Sequence, residues 1–115
     1  MTSLEEFWRE FVTRYRREII RRDIRNLAIT LALELSAYEA ADLLESCGFK
    51  VFDTDLKEPW WLEKAREFYY SARAEKPPKL PLISKARNIV KRYGVPEIYY
   101  RLAEAIVLNR CNLPA

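Results

Sequence analysis

The first third of the chain alternates apolar and polar positions with the period of an α-helix. Ser3 and Glu6 have the spacing of a capping box, and the apolar residues around them recur three and four positions apart. These apolar residues are Leu4, Phe7, Trp8, Phe11, Tyr15 and Ile19. We therefore predict a first helix over about residues 4–21.

A second helix follows, and its pattern is different. Residues 27–35 are apolar on nearly every side, which is typical of a central, buried helix. Two interpretations of its start remain open, because Asp23 can cap it or the first helix can continue into it. Ser36 and Glu39 then form a second capping box, and the helix that they begin ends at Gly48.

Prolines mark the boundaries in the second half of the chain. An irregular acidic loop over residues 50–57 leads to Pro59, which suits the first position of a fourth helix. Pro77, Pro78 and Pro81 end that helix and predict a stiff, extended linker.

Two more helices complete the pattern. The fifth runs from about Leu82 to Tyr93 and the sixth from Pro96 to about Arg110, and no strand pattern of useful length appears. A chain of 115 residues has the size of one domain with a real core. We therefore predict an all-α fold, a compact bundle of about five to six helices. Residues 1–115 would form a single domain, which looks cut from a longer multidomain protein.

The net charge of +3 hides a segregation of charge along the chain. Residues 34–58 hold seven acids and two lysines, a net of −5, whereas residues 64–92 hold nine bases and two acids, a net of +7. Between Lys76 and Pro96 there is no acid at all. Such a segment makes a positive field that an external anion can neutralise, although a merely solvated face is the alternative.

Aromatic pairs flank the cationic residues of this segment: Trp60 with Trp61, Tyr69 with Tyr70, and Tyr99 with Tyr100. Phosphates need positive charge and unstacked bases need an aromatic surface, so the pattern predicts binding of a flexible nucleic-acid strand or a nucleoside triphosphate. The candidate phosphate contacts are Arg73, Lys76, Lys79, Lys85, Arg87, Lys91 and Arg92.

A nucleoside triphosphate, ATP or another, is the second expected ligand, and magnesium can accompany its phosphates. Helical spacing turns Trp60 and several residues of the fourth helix away from the core stripe. The candidate nucleotide contacts are Trp60, Arg66, Tyr70, Arg73 and Tyr100. Aromatic residues at helical spacing are normally core residues, so we assign four others to the core: Trp61, Tyr69, Tyr93 and Tyr99.

The first helix carries a second cationic row on the side away from its apolar stripe: Arg14, Arg17, Arg21 and, beyond its end, Arg25. Glu18 and Asp23 lie nearby in the sequence. A helix-turn-helix centred on Ser36 is disfavoured, because its second helix carries three acids, the wrong sign for a helix that faces phosphates.

Catalytic groups are scarce. The chain has no His and only two Gly, which leaves neither an imidazole base nor a Gly-rich phosphate loop. Asp53 and Asp55 have the spacing to share Mg²⁺, but a solvated turn accounts for them equally well. Cys47 and Cys111 lack paired spacing, and we expect small core residues rather than metal ligands or a redox pair. No catalytic residue and no metal ligand is assigned.

Three segments of the chain, residues 58–66, 76–81 and 93–100, are similar to those of a known family. They resemble the helix-bundle accessory domain of the archaeal plasmid primase-polymerases, whose catalytic domain is of the archaeo-eukaryotic primase type. The resemblance implies a non-catalytic domain of a DNA primase, with the catalytic carboxylates in another part of the parent chain. Such a domain binds single-stranded template and initiating nucleoside triphosphates and presents them to the catalytic domain.

The expected partners are therefore single-stranded DNA, nucleoside triphosphates and the catalytic primase-polymerase domain of the same chain. No apolar run is long enough to cross a bilayer and no targeting segment is visible, so we expect a cytoplasmic protein with no membrane partner. The alternative is a protein-interaction module that docks its basic face on an acidic partner, with the aromatic residues as interface anchors.

Overall fold

Seven α-helices and one short 3₁₀ turn make up residues 4–110, the part of the chain that the computed structural model describes. The helices are α1 Leu4–Arg14, α2 Arg16–Ile20, α3 Ile24–Glu34, α4 Ala37–Ser46, α5 Trp60–Ala74, α6 Leu80–Tyr93 and α7 Glu97–Val107, and the 3₁₀ turn is Asp53–Leu56. No strand occurs in this range. The predicted all-α class is confirmed, with slightly more helices than expected.

The first predicted helix is in fact two. α1 and α2 are separated by Tyr15, whose backbone leaves the helical region. Arg22 then adopts a positive φ of 58°, and the Asp23 carboxylate accepts a hydrogen bond from the backbone N–H of Asn26 at 3.2 Å. Asp23 therefore caps α3, and the first helix does not continue into the second.

The two predicted ends of α4 are confirmed. Ser36 Oγ accepts from the N–H of Glu39 at 3.1 Å, and a Glu39 carboxylate oxygen accepts from the N–H of Ser36 at 3.0 Å. At the other end Gly48 has a φ of 85°, and the N–H of Phe49 donates to the carbonyl of Leu44 at 3.0 Å. This bond is the signature of a Schellman ending.

Three other boundaries differ from the prediction. α6 begins at Leu80, so Pro81 lies in its first turn, where a missing N–H costs no hydrogen bond, and not in the linker. Pro59 precedes α5 instead of occupying its first position. α7 ends at Val107, because Asn109 adopts a φ of 50° and closes the helix.

Cys47 also departs from the prediction. It ends α4, is only partly buried and is disulfide-bonded, whereas we expected a free thiol in the core. Single cysteines carry no spacing signal, so the sequence pattern offered no warning of the bond. Cys111 lies outside the described residues.

α3 lies at the centre of the fold, and its residues 27–33 are buried. α2, α5, α6 and α7 all pack against it. α5 and α6 form an antiparallel pair, because Ala72 accepts a hydrogen bond from Lys79 at one end and Trp61 stacks on Tyr93 at the other. The outer side of α6 is left facing solvent.

Arg66 attaches α5, and with it the helix pair, to the rest of the fold. Its Nη1 and Nη2 donate to the two carboxylate oxygens of Glu58 at 2.8 and 2.9 Å, and its Nε donates to the carbonyl of Ala32 at 2.8 Å. Nη2 also donates to the carbonyl of Leu35 at 2.6 Å and to the Tyr99 hydroxyl at 2.7 Å. The exposed fractions are 15% for the Arg66 side chain and 30% for that of Glu58.

The Glu58 carboxylate stays ionised in this setting. Burial raises the pKa of Glu58, but hydrogen bonds from Arg66 and from the N–H of Ala37 outweigh burial, and the pKa lies below its ordinary value. One guanidinium therefore joins the end of α3, the start of α4, α5 and α7 through charge-assisted bonds.

We predict that Arg66→Met destabilises the fold by about 3 kcal/mol, because the Glu58 carboxylate loses its cationic partner and the carbonyls of Ala32 and Leu35 lose a charged donor. Urea denaturation followed by circular dichroism measures the change. The control is Lys64→Ala, which removes an exposed pair with Glu67 at 3.8 Å and is expected to cost less than about 0.5 kcal/mol. Equal costs for the two variants would contradict the structural role of Arg66.

Candidate nucleic-acid and nucleotide interface

A shallow groove of about 390 Å³ runs along the outer side of α6. It is lined by Pro81, Ser84, Lys85, Asn88, Ile89, Arg92 and Tyr93. These positions recur every three or four residues and so share one side of the helix, whereas Ala86 and Val90 point into the core. The groove therefore offers cations, amide and hydroxyl groups and an aromatic ring on one continuous surface.

Two exposed aromatic rings lie at the carboxyl end of this groove. Trp60 is 74% exposed and Tyr93 is 53% exposed, and their ring centroids are 6.2 Å apart at an angle of 62°. Trp61, which is half-buried, also stacks on Tyr93, with centroids 5.6 Å apart and an angle of 19°. The two exposed rings offer an aromatic surface to a flat base, and the contact with Trp61 holds Tyr93 in place.

Our assignment of Tyr93 to the core is wrong. Tyr93 is the last residue of α6, and Gly94 follows with a φ of 100° that turns the chain away. Its ring contacts Trp60 and Trp61 at the start of α5 instead of the core, so a residue with the spacing of the core stripe lies on the surface. Helical spacing carries no signal of this exposure.

The lysines and Arg92 of the α6 region are accessible to a ligand. Lys91 and Arg92 are exposed and make no ion pair with any described residue, and Lys85 lies 4.7 Å from the ring centroid of Phe68. Lys76 is exposed, and Lys79 approaches only Glu75, at 3.9 Å and in solvent, a weak contact. An incoming phosphate meets little competition here.

Arg87 lies on the other side of α6 and is tied to α3. Its Nη1 donates to Thr30 Oγ1 at 2.9 Å, and its Nη2 donates to the Asn26 side-chain oxygen. Thr30 is only 2% exposed, so Arg87 satisfies a buried hydroxyl. Both acceptors are neutral, and the charge of Arg87 therefore remains uncompensated by these bonds even though its donors are engaged.

Arg73 and Tyr70 meet at Glu34, near the carboxyl end of α5. Arg73 Nη1 donates to a Glu34 carboxylate oxygen at 3.0 Å, and Arg14 Nη1 donates to the same oxygen at 3.3 Å. The Tyr70 hydroxyl donates to the Glu34 carbonyl at 3.3 Å, and burial, then the Glu34 charge, raise the pKa of Tyr70. Arg73 is thus available to a phosphate only in competition with a carboxylate.

The five predicted nucleotide contacts do not form one site. Trp60 and Arg73 are thirteen residues apart on α5, which is about 20 Å along the helix axis. Arg66 lies between them and is committed to internal partners, so we remove it from the candidate phosphate contacts. Tyr100 is half-buried against the core on α7. Of the five, Trp60 is the one that belongs to the α6 groove.

No group of three or more potential metal ligands lies together among residues 4–110. Asp55, one of the two carboxylates considered for magnesium, accepts hydrogen bonds from the N–H of Phe52 at 2.9 Å and from Arg101 at 3.3 Å. Within the described range no helix has the length and apolar character to span a membrane.

No known protein family, curated protein or solved structure matches this chain. What the α6 groove binds must therefore be inferred from its own residues.

We predict that Arg87→Ala destabilises the protein by about 1 to 2 kcal/mol, because the buried Thr30 hydroxyl loses a donor. Lys91→Ala, one helical turn away, is expected to change stability by less than about 0.5 kcal/mol, since its side chain is exposed. Thermal and urea unfolding of the two variants provide the comparison. A Lys91 variant that is as unstable as the Arg87 variant would show that the exposed edge of α6 is structural.

Proposed function

We propose that this chain is a non-catalytic DNA-binding domain that holds single-stranded DNA and a nucleoside triphosphate on the outer side of α6. The observation that carries the proposal is the exposed pair Trp60–Tyr93 at the end of a groove whose cations lack acidic partners. Aromatic rings next to unpaired cations suit a flexible strand, because each nucleotide presents both a π-face and a phosphate.

Phosphate contacts follow the length of α6. Lys79 and Arg92 are thirteen residues apart, about 20 Å along the helix, and Lys85 lies between them. Lys76 extends the series beyond the helix start. Three of these cations are lysine ammonium groups and one is the guanidinium of Arg92. Such groups favour contact with the phosphate backbone of the strand over recognition of base edges.

A triphosphate fits the carboxyl end of the same groove. Its base would stack on Trp60 or Tyr93, and its phosphates would reach Arg92 and Lys85, which line the groove beside Tyr93. Tyr70 and Arg73 lie about 15 and about 20 Å from Trp60 along α5 and would contact the strand instead of this nucleotide.

The biological role that fits these ligands is assistance to a DNA primase in starting a primer during DNA replication. Initiation requires template and free nucleotides to be held together before any duplex exists, which is a problem of proximity that a binding domain can solve. The catalytic step would belong to a primase-polymerase domain in the same parent chain. This role agrees with the sequence resemblance to the accessory domain of archaeal plasmid primase-polymerases.

We predict that Lys85→Ala combined with Arg92→Ala weakens binding of single-stranded DNA and lowers the salt slope by roughly 1.4, because each lost phosphate contact contributes about 0.7. Fluorescence anisotropy with a labelled oligonucleotide at several salt concentrations measures both effects. The matched control, Lys50→Ala with Lys57→Ala, removes two charges from the acidic segment and is expected to keep the wild-type slope. Wild-type affinity and slope in the Lys85 and Arg92 variant would contradict the proposal.

We predict that Trp60→Leu or Tyr93→Leu weakens ATP binding about tenfold or more, because stacking of a base on an aromatic ring contributes about 1 to 3 kcal/mol. Tyr93→Phe keeps the ring and is the control. Isothermal titration with ATP gives the affinities. If both leucine variants bind ATP as tightly as the wild type, the aromatic pair is not a base platform, and its rings anchor a protein partner instead.

A further inference from the structure

We propose that the single strand extends beyond α6, across the exposed start of α3, onto an arginine-rich surface formed by α1 and α2. This inference rests on the proposed function and adds a second binding surface to it. It lengthens the cationic surface that a strand can follow. It also gives a role to the second cationic row of the sequence, Arg14, Arg17, Arg21 and Arg25.

The second surface is a broad groove of about 590 Å³ lined by Thr13, Arg14, Arg16, Arg17, Glu18, Ile20 and Arg21. Residues 14–25 carry six arginines against Glu18 and Asp23, a net of +4. Arg14 pairs with Glu34 at 3.3 Å, and the other five arginines make no ion pair with any residue in the described range. This concentration of uncompensated charge calls for an external anion.

The start of α3 lies between the two helices that carry the cationic surfaces. α3 packs against both α2 and α6, and Arg25 in its first turn is its exposed residue. Arg87 of α6 donates there to Asn26, whose sequence neighbour Arg25 is exposed. The Asp23 carboxylate is the acid at this junction, and it accepts a hydrogen bond from the N–H of Asn26. Arg22, Arg25 and Arg87 outnumber it, so the junction between α2 and α6 carries a net positive charge. From the groove, the strand would pass over α6 to reach this junction, because Arg87 lies on the other side of that helix.

The composition of the second surface indicates how it would bind. Tyr15 is the single aromatic residue of 14–25, and its hydroxyl donates to Glu34 at 3.2 Å while its ring lies 4.8 Å from that of Phe11. No free ring is therefore offered to a base in this stretch. Arginine forks match the geometry of phosphate oxygens, so the surface would hold the sugar–phosphate backbone without reading sequence.

The test is the dependence of affinity on oligonucleotide length. Anisotropy titrations would use single-stranded DNA of about 6 and about 16 nucleotides, a short and a long length within the range of site sizes known for single-strand-binding OB-folds. The variant is Arg17→Ala with Arg21→Ala, two exposed residues without ion pairs, and a thermal melt verifies its fold. Arg17→Lys with Arg21→Lys keeps the charge and serves as the matched control.

The expected result is a selective loss. The alanine variant binds the short oligonucleotide like the wild type, but its salt slope for the long one falls by roughly 1.4, whereas the lysine variant keeps the slope. Unchanged binding of the long oligonucleotide, or equal losses for both lengths, would overturn the extended path. If DNA binding still depends on Lys85 and Arg92 in that case, the extended path is overturned but the proposed function is not. Absence of binding by the wild-type protein at either length overturns both.

Discussion

The ion pair between Arg66 and Glu58 is the constraint on which the position of the α6 groove depends. Arg66 attaches α5 to the end of α3 and to α7, and α6 packs along α5. Arg87 fixes the opposite edge of α6 to α3 through Asn26 and Thr30. Two arginines that are themselves committed to the fold thus hold a helix whose remaining cations face solvent. Because this helix is already fixed in position, a ligand that binds to its cations loses little free energy to ordering of the protein.

The acidic segment of the chain supplies the partners of four arginines that lie outside α6. Glu58 binds Arg66, Glu34 binds both Arg14 and Arg73, and Asp55 binds Arg101. None of these acids pairs with a cation of α6. Four arginines outside α6 therefore find acidic partners within the described fold, whereas the cations of α6 do not pair with these acids. This difference is the condition for a local positive field on a protein of modest net charge.

Helix periodicity and capping residues were sufficient to predict the all-α class, both ends of α4 and the glycine that ends α6, because these features depend on neighbours in the sequence. Whether an arginine pairs with an internal partner or faces solvent was not predictable in this way. Arg66 and Lys85 look alike in a charge pattern, and only the fold reveals that one meets Glu58 and the other solvent. The exposure of Tyr93 was missed for the same reason, since helical spacing does not show which neighbouring residues will cover a side chain.

The most direct measurement of the central claim is a map of amide and indole NMR shifts in the ¹⁵N-labelled domain on addition of single-stranded DNA and ATP. We predict that the largest changes cluster on residues 84–93 and on the indole N–H of Trp60, with α4 unaffected. Changes centred on the acidic side around α4, or a spectrum that does not respond to either ligand, would contradict it.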